Sequence, residues 1–138
     1  MRTLLLTLMA AGALLAGCGK ELDLDELDTN PFDRDYAGPD VIVKVVDSTW
    51  FNAIQGAYNY RMTYRVRTDL FPRSTAFYVS ETASDDGIQH RYGPFNAVGP
   101  FVRTWTNVTD GEQFCLRVAL EVDFSHTKTY DLCGTVHE

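Results

Sequence analysis

The chain has 138 residues, a formal net charge of −7, 22% charged and 45% apolar residues, and three cysteines. That length fits one domain, and the acidic balance argues against a nucleic-acid surface, whose footprint is basic. The sequence contains neither a phosphate loop nor a dinucleotide fingerprint.

The N-terminal segment opens with Arg2 and continues in an apolar run from Leu4 to Leu15. A bilayer-spanning helix needs roughly 20 apolar residues, so the run fits the core of a removable export signal better than a permanent span. It ends in Leu15-Ala16-Gly17-Cys18. This sequence resembles the lipobox of bacterial lipoproteins, in which small residues precede a cysteine whose thiol accepts diacylglycerol. The resemblance implies a signal peptide over residues 1–17, lipidation of Cys18, and a membrane partner reached through lipid alone. Each buried methylene contributes about 0.8 kcal/mol, so more than one acyl chain makes such an anchor stable. Gly19, in place of the aspartate that retains many lipoproteins at the inner membrane, points to the outer membrane. Lys20-Glu21 and the acids behind them resemble short export signals of surface-displayed lipoproteins; a generic acidic linker is the alternative reading.

Residues 18–40 form the expected tether. Between Lys20 and Asp40 there are eight acidic and two basic residues, and clustered like charge with few apolar side chains disfavours a packed state. Phe32 and Tyr36, bracketed by Pro31 and Pro39, are expected to dock on the domain that follows.

Residues 41–138 read as all-β. Val41–Val46 is rich in β-branched residues. Tyr58, Tyr60, Met62, Tyr64 and Val66 alternate with polar residues, the period of a half-buried strand. Ala76–Val79, a short edge strand over Ile88–Tyr92, Phe101–Thr106, Phe114–Val122 and Thr129–Cys133 follow. Ser84-Asp85-Asp86-Gly87 and Thr109-Asp110-Gly111 are turns. Residues 48–57 are expected to hold one helical turn. Six or seven short strands in one domain predict a two-sheet sandwich.

Val108-Thr109-Asp110-Gly111-Glu112-Gln113-Phe114-Cys115-Leu116-Arg117-Val118 resembles the fibronectin type III segment that enters the sixth strand: an apolar residue, a tight turn ending in glycine, then an aromatic and alternating apolar positions. The resemblance implies an immunoglobulin-like sandwich with Phe77-Tyr78-Val79 as third strand. Phe114 lacks the hydroxyl of the family's usual tyrosine, and no tryptophan sits in the Tyr58–Val66 strand. The fold carries no function with it.

With Cys18 assigned to lipid, Cys115 and Cys133 remain, and two cysteines in an exported chain are expected to pair. A hairpin centred on Phe124 sets Cys115 opposite Cys133, Leu116 opposite Leu132, Arg117 opposite Asp131 and Val118 opposite Tyr130. A slip of one residue would lose every one of these pairings.

Chemistry is sparse. His90 beside Asp85-Asp86 resembles a metal site, but the turn accounts for those carboxylates, and Asp23, Asp25 and Asp28 lack the glycine and closing glutamate of a calcium loop; no metal or cofactor is expected. His126 falls in the hairpin loop and His137 near the C-terminus. Ser80 and Ser84 lack a Gly-x-Ser-x-Gly elbow. Arg61, Arg65 and Arg67 share one strand's polar face, with Arg73 and Arg103 as potential neighbours, and this face is either solvated and paired with acids or suited to an anionic glycan. The Gly/Pro-punctuated segment from Tyr92 to Phe101 is the candidate binding loop, with Tyr92, Phe95, Phe101 and Trp105 as contact residues, because function in sandwiches concentrates in loops. These features predict a non-catalytic envelope lipoprotein that binds a protein partner, with glycan binding as the alternative and a small hydrolase as the least favoured reading.

Overall fold

A computed structural model describes residues 30–71, 75–122, 125–126 and 128–138. The signal, Cys18, most of the acidic tether, Arg73 and the hairpin centre at Phe124 lie outside the described residues. Among the described residues eight strands form: β1 (Ile42–Asn52), β2 (Ala57–Val66), β3 (Phe77–Ala83), β4 (Gln89–Phe95), β5 (Phe101–Val108), β6 (Gln113–Val122), β7 (Ser125–His126) and β8 (Tyr130–Thr135). One sheet has the order β1-β2-β5; in the other, β4-β3-β6 is continued by β7 and β8, both paired with β6. All pairings are antiparallel. The fold is the expected all-β sandwich of two antiparallel sheets, consistent with an immunoglobulin-like domain.

Alternation builds the core. On β2, Tyr60, Met62, Tyr64 and Val66 are buried; on β6, Phe114, Leu116, Val118, Leu120 and Val122 face them. Burying each such side chain contributes roughly 1.5–3 kcal/mol. Tyr60, Trp105 and Phe114 pack together, with ring centroids 5.0–5.8 Å apart. Trp105 reaches this cluster from β5, where it pairs with Tyr60. A tryptophan thus fills the centre although β2 contains none.

The helical turn expected over residues 48–57 is absent. Ser48–Asn52 extends β1, and residues 53–56 turn the chain into β2. The β-branched and aromatic run Thr49-Trp50-Phe51 favours a strand, and pairing along β2 from Ser48↔Arg61 to Asn52↔Ala57 holds it there. A bulge between Lys44 and Val46 shifts the register. As bulges do, it re-aims the strand: Val46 turns outward and Asp47 turns toward Tyr60. In β4 a second irregularity falls between the partners of Phe77 and Val79. There Gly93 adopts φ +124, and a Cβ would press on the Phe77 carbonyl.

The packed unit reaches back before residue 41. Pro31 and Tyr36 are buried, Phe32 meets Phe71 at 4.5 Å, and the buried Val41 N–H donates to the Tyr130 hydroxyl at 3.2 Å. Phe32 and Tyr36 therefore dock as expected, and residues 31–36 belong to the domain's packing although they lie in the stretch read as tether.

The β6–β8 register is the expected one at all four positions, from Cys115↔Cys133 to Val118↔Tyr130. Cys115 and Cys133 form a disulfide with their Cα atoms 4.1 Å apart, on the face opposite the core. In the chain-entropy model a loop of this size is worth about 3 kcal/mol. On β8's other side, Lys44 donates to the Cys133 carbonyl at 2.9 Å and pairs with Asp47 at 2.7 Å. Asp47 also accepts the Tyr60 hydroxyl at 2.9 Å. That hydroxyl lies over Gly134, where a Cβ would collide with it and with the Asp47 carboxylate. Gly134→Ala should accordingly cost about 1–3 kcal/mol, the usual range for overpacking, measured by urea unfolding. Adding Tyr60→Phe should recover part of the loss; a neutral Gly134→Ala would show that the Tyr60 seat is loose.

Candidate functional site

The expected contact residues do not share an exposed loop. Tyr92 and Phe95 lie in β4, Phe101 and Trp105 in β5, and only residues 96–100 connect the two strands. Trp105 is 5% exposed. Phe101 stacks on Tyr64 at 5.2 Å, and Phe95 packs against Phe77 and Phe101. Register is the reason: Phe101 pairs with Tyr64 and Trp105 with Tyr60, both inward positions of β2. The glycines and prolines of this segment mark a bulge and a short crossing between sheets. Trp105→Ala should therefore act as a core truncation costing about 3–5 kcal/mol, read from the thermal midpoint; a stable variant would remove Trp105 from the core.

The most polar feature inside the sandwich centres on Glu81 of β3, which is buried. Its carboxylate accepts the Tyr64 hydroxyl at 2.8 Å and the Tyr92 hydroxyl at 2.9 Å. Arg103 approaches it at 3.9 Å and pairs with Asp86 at 3.1 Å. Tyr92 is thus anchored by its oxygen, and Arg103 points inward instead of joining the arginines of β2. The buried carboxylate is tied by two hydroxyls and one guanidinium, and the cluster joins β2, β3, β4 and β5. His90, paired with Glu81 across the β3–β4 ladder, stacks against Tyr92. Among the described residues no group of three His, Cys, Asp or Glu side chains is arranged to hold a metal.

An open cleft of about 270 Å³ lies on the outer face of the larger sheet, lined by Thr82, Ser84, Gly87, Cys115, Arg117 and Asp131 among others. Its polar groups are occupied: Ser84 Oγ accepts the Cys115 N–H, and Arg117 pairs with Asp131. Nearby on the same sheet face, Arg91 lies over the Tyr78 ring and pairs with Glu121.

The outer face of the β1-β2-β5 sheet differs. Arg61 and Arg65 are exposed, and among the described residues neither forms an ion pair. Arg61 sits over the Trp50 ring, 4.9 Å from its centroid. Arg67 turns away to Asp69. Sequence reasoning placed Arg61 and Arg65 on one polar face but left Trp50 unplaced among the aromatics, because it read residues 48–57 as a helical turn.

The two ends of the sandwich are also unlike. Residues 31–41 enter at the end that holds Phe71, Phe77 and Tyr130. β1 then runs eleven residues away from that end, about 33 Å at the usual rise. At the far end stand the β1–β2 turn, the Thr109–Glu112 turn, and Val136–Glu138, which is held by bonds from the Gly111 N–H to the Val136 carbonyl and from the His137 N–H to Thr49 Oγ1. The hairpin from Trp50 to Asn59 carries no charged residue. Ile54 at its tip is 99% exposed, and Phe51, edge-on to Tyr58 at 5.2 Å, is 54% exposed.

No family model, curated protein or solved structure matches the chain. Among the described residues no helix is long and apolar enough to cross a membrane.

Burial and the neighbouring carboxylate hold the Tyr64 phenol far above its ordinary value near 10, and burial followed by hydrogen bonding to carboxylates raises Tyr60 and Tyr92 as well. The unfolded chain sheds these protons first as pH rises, so the domain should lose stability progressively above about pH 10. Ultraviolet titration should find these tyrosines ionising only as the fold is lost. Tyr64→Phe should flatten the alkaline limb of stability, and an unchanged limb would contradict the assignment.

Proposed function

We propose that the protein is a lipid-anchored, non-catalytic interaction module of the bacterial cell envelope, held at the outer membrane through Cys18 and displayed toward a protein partner. The anchor half of this reading rests on the lipobox-like Leu15-Ala16-Gly17-Cys18 and the short apolar run before it. The interaction half rests on one observation: the uncharged β1–β2 hairpin with Phe51 and Ile54 exposed, at the end of the sandwich opposite the entering chain. A rigid, disulfide-closed domain on an acidic tether would carry that tip away from the lipid surface. Exposed apolar residues grouped on a tip are the kind of feature that fills a partner's pocket.

Two measurements test the two halves separately. Cys18→Ser should move the protein from the membrane fraction to the soluble envelope fraction; unchanged attachment would refute the lipid anchor. A photo-crosslinking residue at position 54 should capture a discrete envelope protein in intact cells, and Phe51→Glu with an unaltered thermal midpoint should remove that product. Crosslinks confined to positions 96–100, with none at position 54, would refute the tip as the docking element.

A further inference from the structure

The hairpin tip leaves the outer face of the β1-β2-β5 sheet unused. That face carries a sign opposite to the rest of the molecule. The chain has a net charge of −7, yet the side chains turned outward along β2 include Arg61 and Arg65 and no acid. Their partners across the ladder are Ser48 and Thr104 for Arg61 and Val43 for Arg65. Four residues along a strand separate the two guanidinium-bearing positions by about 13 Å. Asp69, whose carboxylate feels the charge of Arg65, is already held by Arg67.

Between the two arginines runs the row Val46, Thr63 and Val102, with both valines more than half exposed. At the other end Trp50 braces Arg61, so the guanidinium is positioned before any ligand arrives. Thr106 extends the hydroxyl-bearing surface next to the Trp50 row. The face thus offers two unpaired cations, an indole wall and a set of side-chain hydroxyls. Strand addition by a peptide would use the main-chain ladder at the β1 or β5 edge of the sheet, whereas a ligand on this face meets side chains alone.

From this arrangement we infer that the outer face of the β1-β2-β5 sheet binds an acidic polysaccharide, with Arg61 and Arg65 each engaging a sugar carboxylate across the Val46-Thr63-Val102 row, and Trp50, on the far side of Arg61 from Arg65, holding the Arg61 guanidinium in place and bordering the ligand there. Guanidinium and carboxylate form paired, charge-assisted hydrogen bonds. The serine and threonine hydroxyls match the mixed donor and acceptor character of sugar hydroxyls.

The test uses the full chain in detergent and affinity electrophoresis in gels containing polygalacturonate, a neutral galactan or poly-glutamate. Polygalacturonate should retard the protein and the galactan should not. Arg61→Glu with Arg65→Glu should abolish retardation. Trp50→Ala, which leaves both charges in place, should weaken it about tenfold, the equivalent of 1.4 kcal/mol. Thermal midpoints should be unchanged for the exposed arginine variants. Equal retardation by poly-glutamate would overturn the proposal in favour of an acidic protein partner. Undiminished binding by Trp50→Ala would reduce the face to diffuse charge and overturn the site. Absence of retardation by polygalacturonate would overturn it outright. Crosslinking at position 54 is independent of all these outcomes, so the hairpin reading stands or falls separately.

Discussion

Two tyrosines on the second strand set the terms for the rest of the sandwich. Tyr60 and Tyr64 are fully buried, and a buried hydroxyl without a partner is costly. Each therefore needs an acceptor beyond its own strand. Tyr60 finds Asp47, which the bulge in β1 turns inward, above a glycine that leaves room. Tyr64 finds Glu81 on the opposite sheet. Bulge, glycine and buried glutamate each deviate from a plain apolar sandwich, and all three follow from long phenol side chains crossing a narrow core.

The same logic explains why the interior is polar without being obviously chemical. Glu81 accepts two hydroxyls and stands near Arg103, which in turn holds Asp86. The result ties four strands of two sheets together at one point. Removing the carboxylate would strand two phenols and leave Arg103 with Asp86 alone, which is why such clusters are costly to break whatever their net worth. The surface divides differently: paired charges and an open cleft lined by internally paired groups on the larger sheet, unpaired arginines beside an indole on the smaller one, and an uncharged hairpin at the far end.

Much of this was legible in the sequence. The alternation at Tyr58–Val66 and Phe114–Val122 gave the two central strands and their inward faces. The spacing of Cys115 and Cys133 gave the β6–β8 register, because three other pairings had to agree with it. What escaped were features that depend on neighbours far along the chain. Nothing local to Trp105 says that its strand lies beside Tyr60. Glycine and proline near Phe95 look alike whether they punctuate a long loop or a bulge followed by a crossing. Trp50 was lost for a different reason: the bulge at Lys44–Val46 breaks the period of two, so a continuous strand reads as two pieces. Arg103 has the same polar character as Arg61, and only its distant partners, Asp86 and Glu81, set it apart.

The position of β8 has a consequence for the order in which the fold can complete. The last strand covers the open side of β6, supplies the hydroxyl of Tyr130 to Val41 and provides the glycine floor under Tyr60. A chain emerging from its N-terminus therefore has its first packed segment waiting for nearly its last. Contacts of such long sequence separation make folding slow and close to all-or-none. Until residues 130–136 arrive, the Val41 N–H lacks its acceptor, Cys115 its disulfide partner and Tyr60 the glycine beneath its hydroxyl, so vectorial emergence yields an incomplete domain with one edge open. The C-terminal strand is the closure on which one cooperative folding event depends.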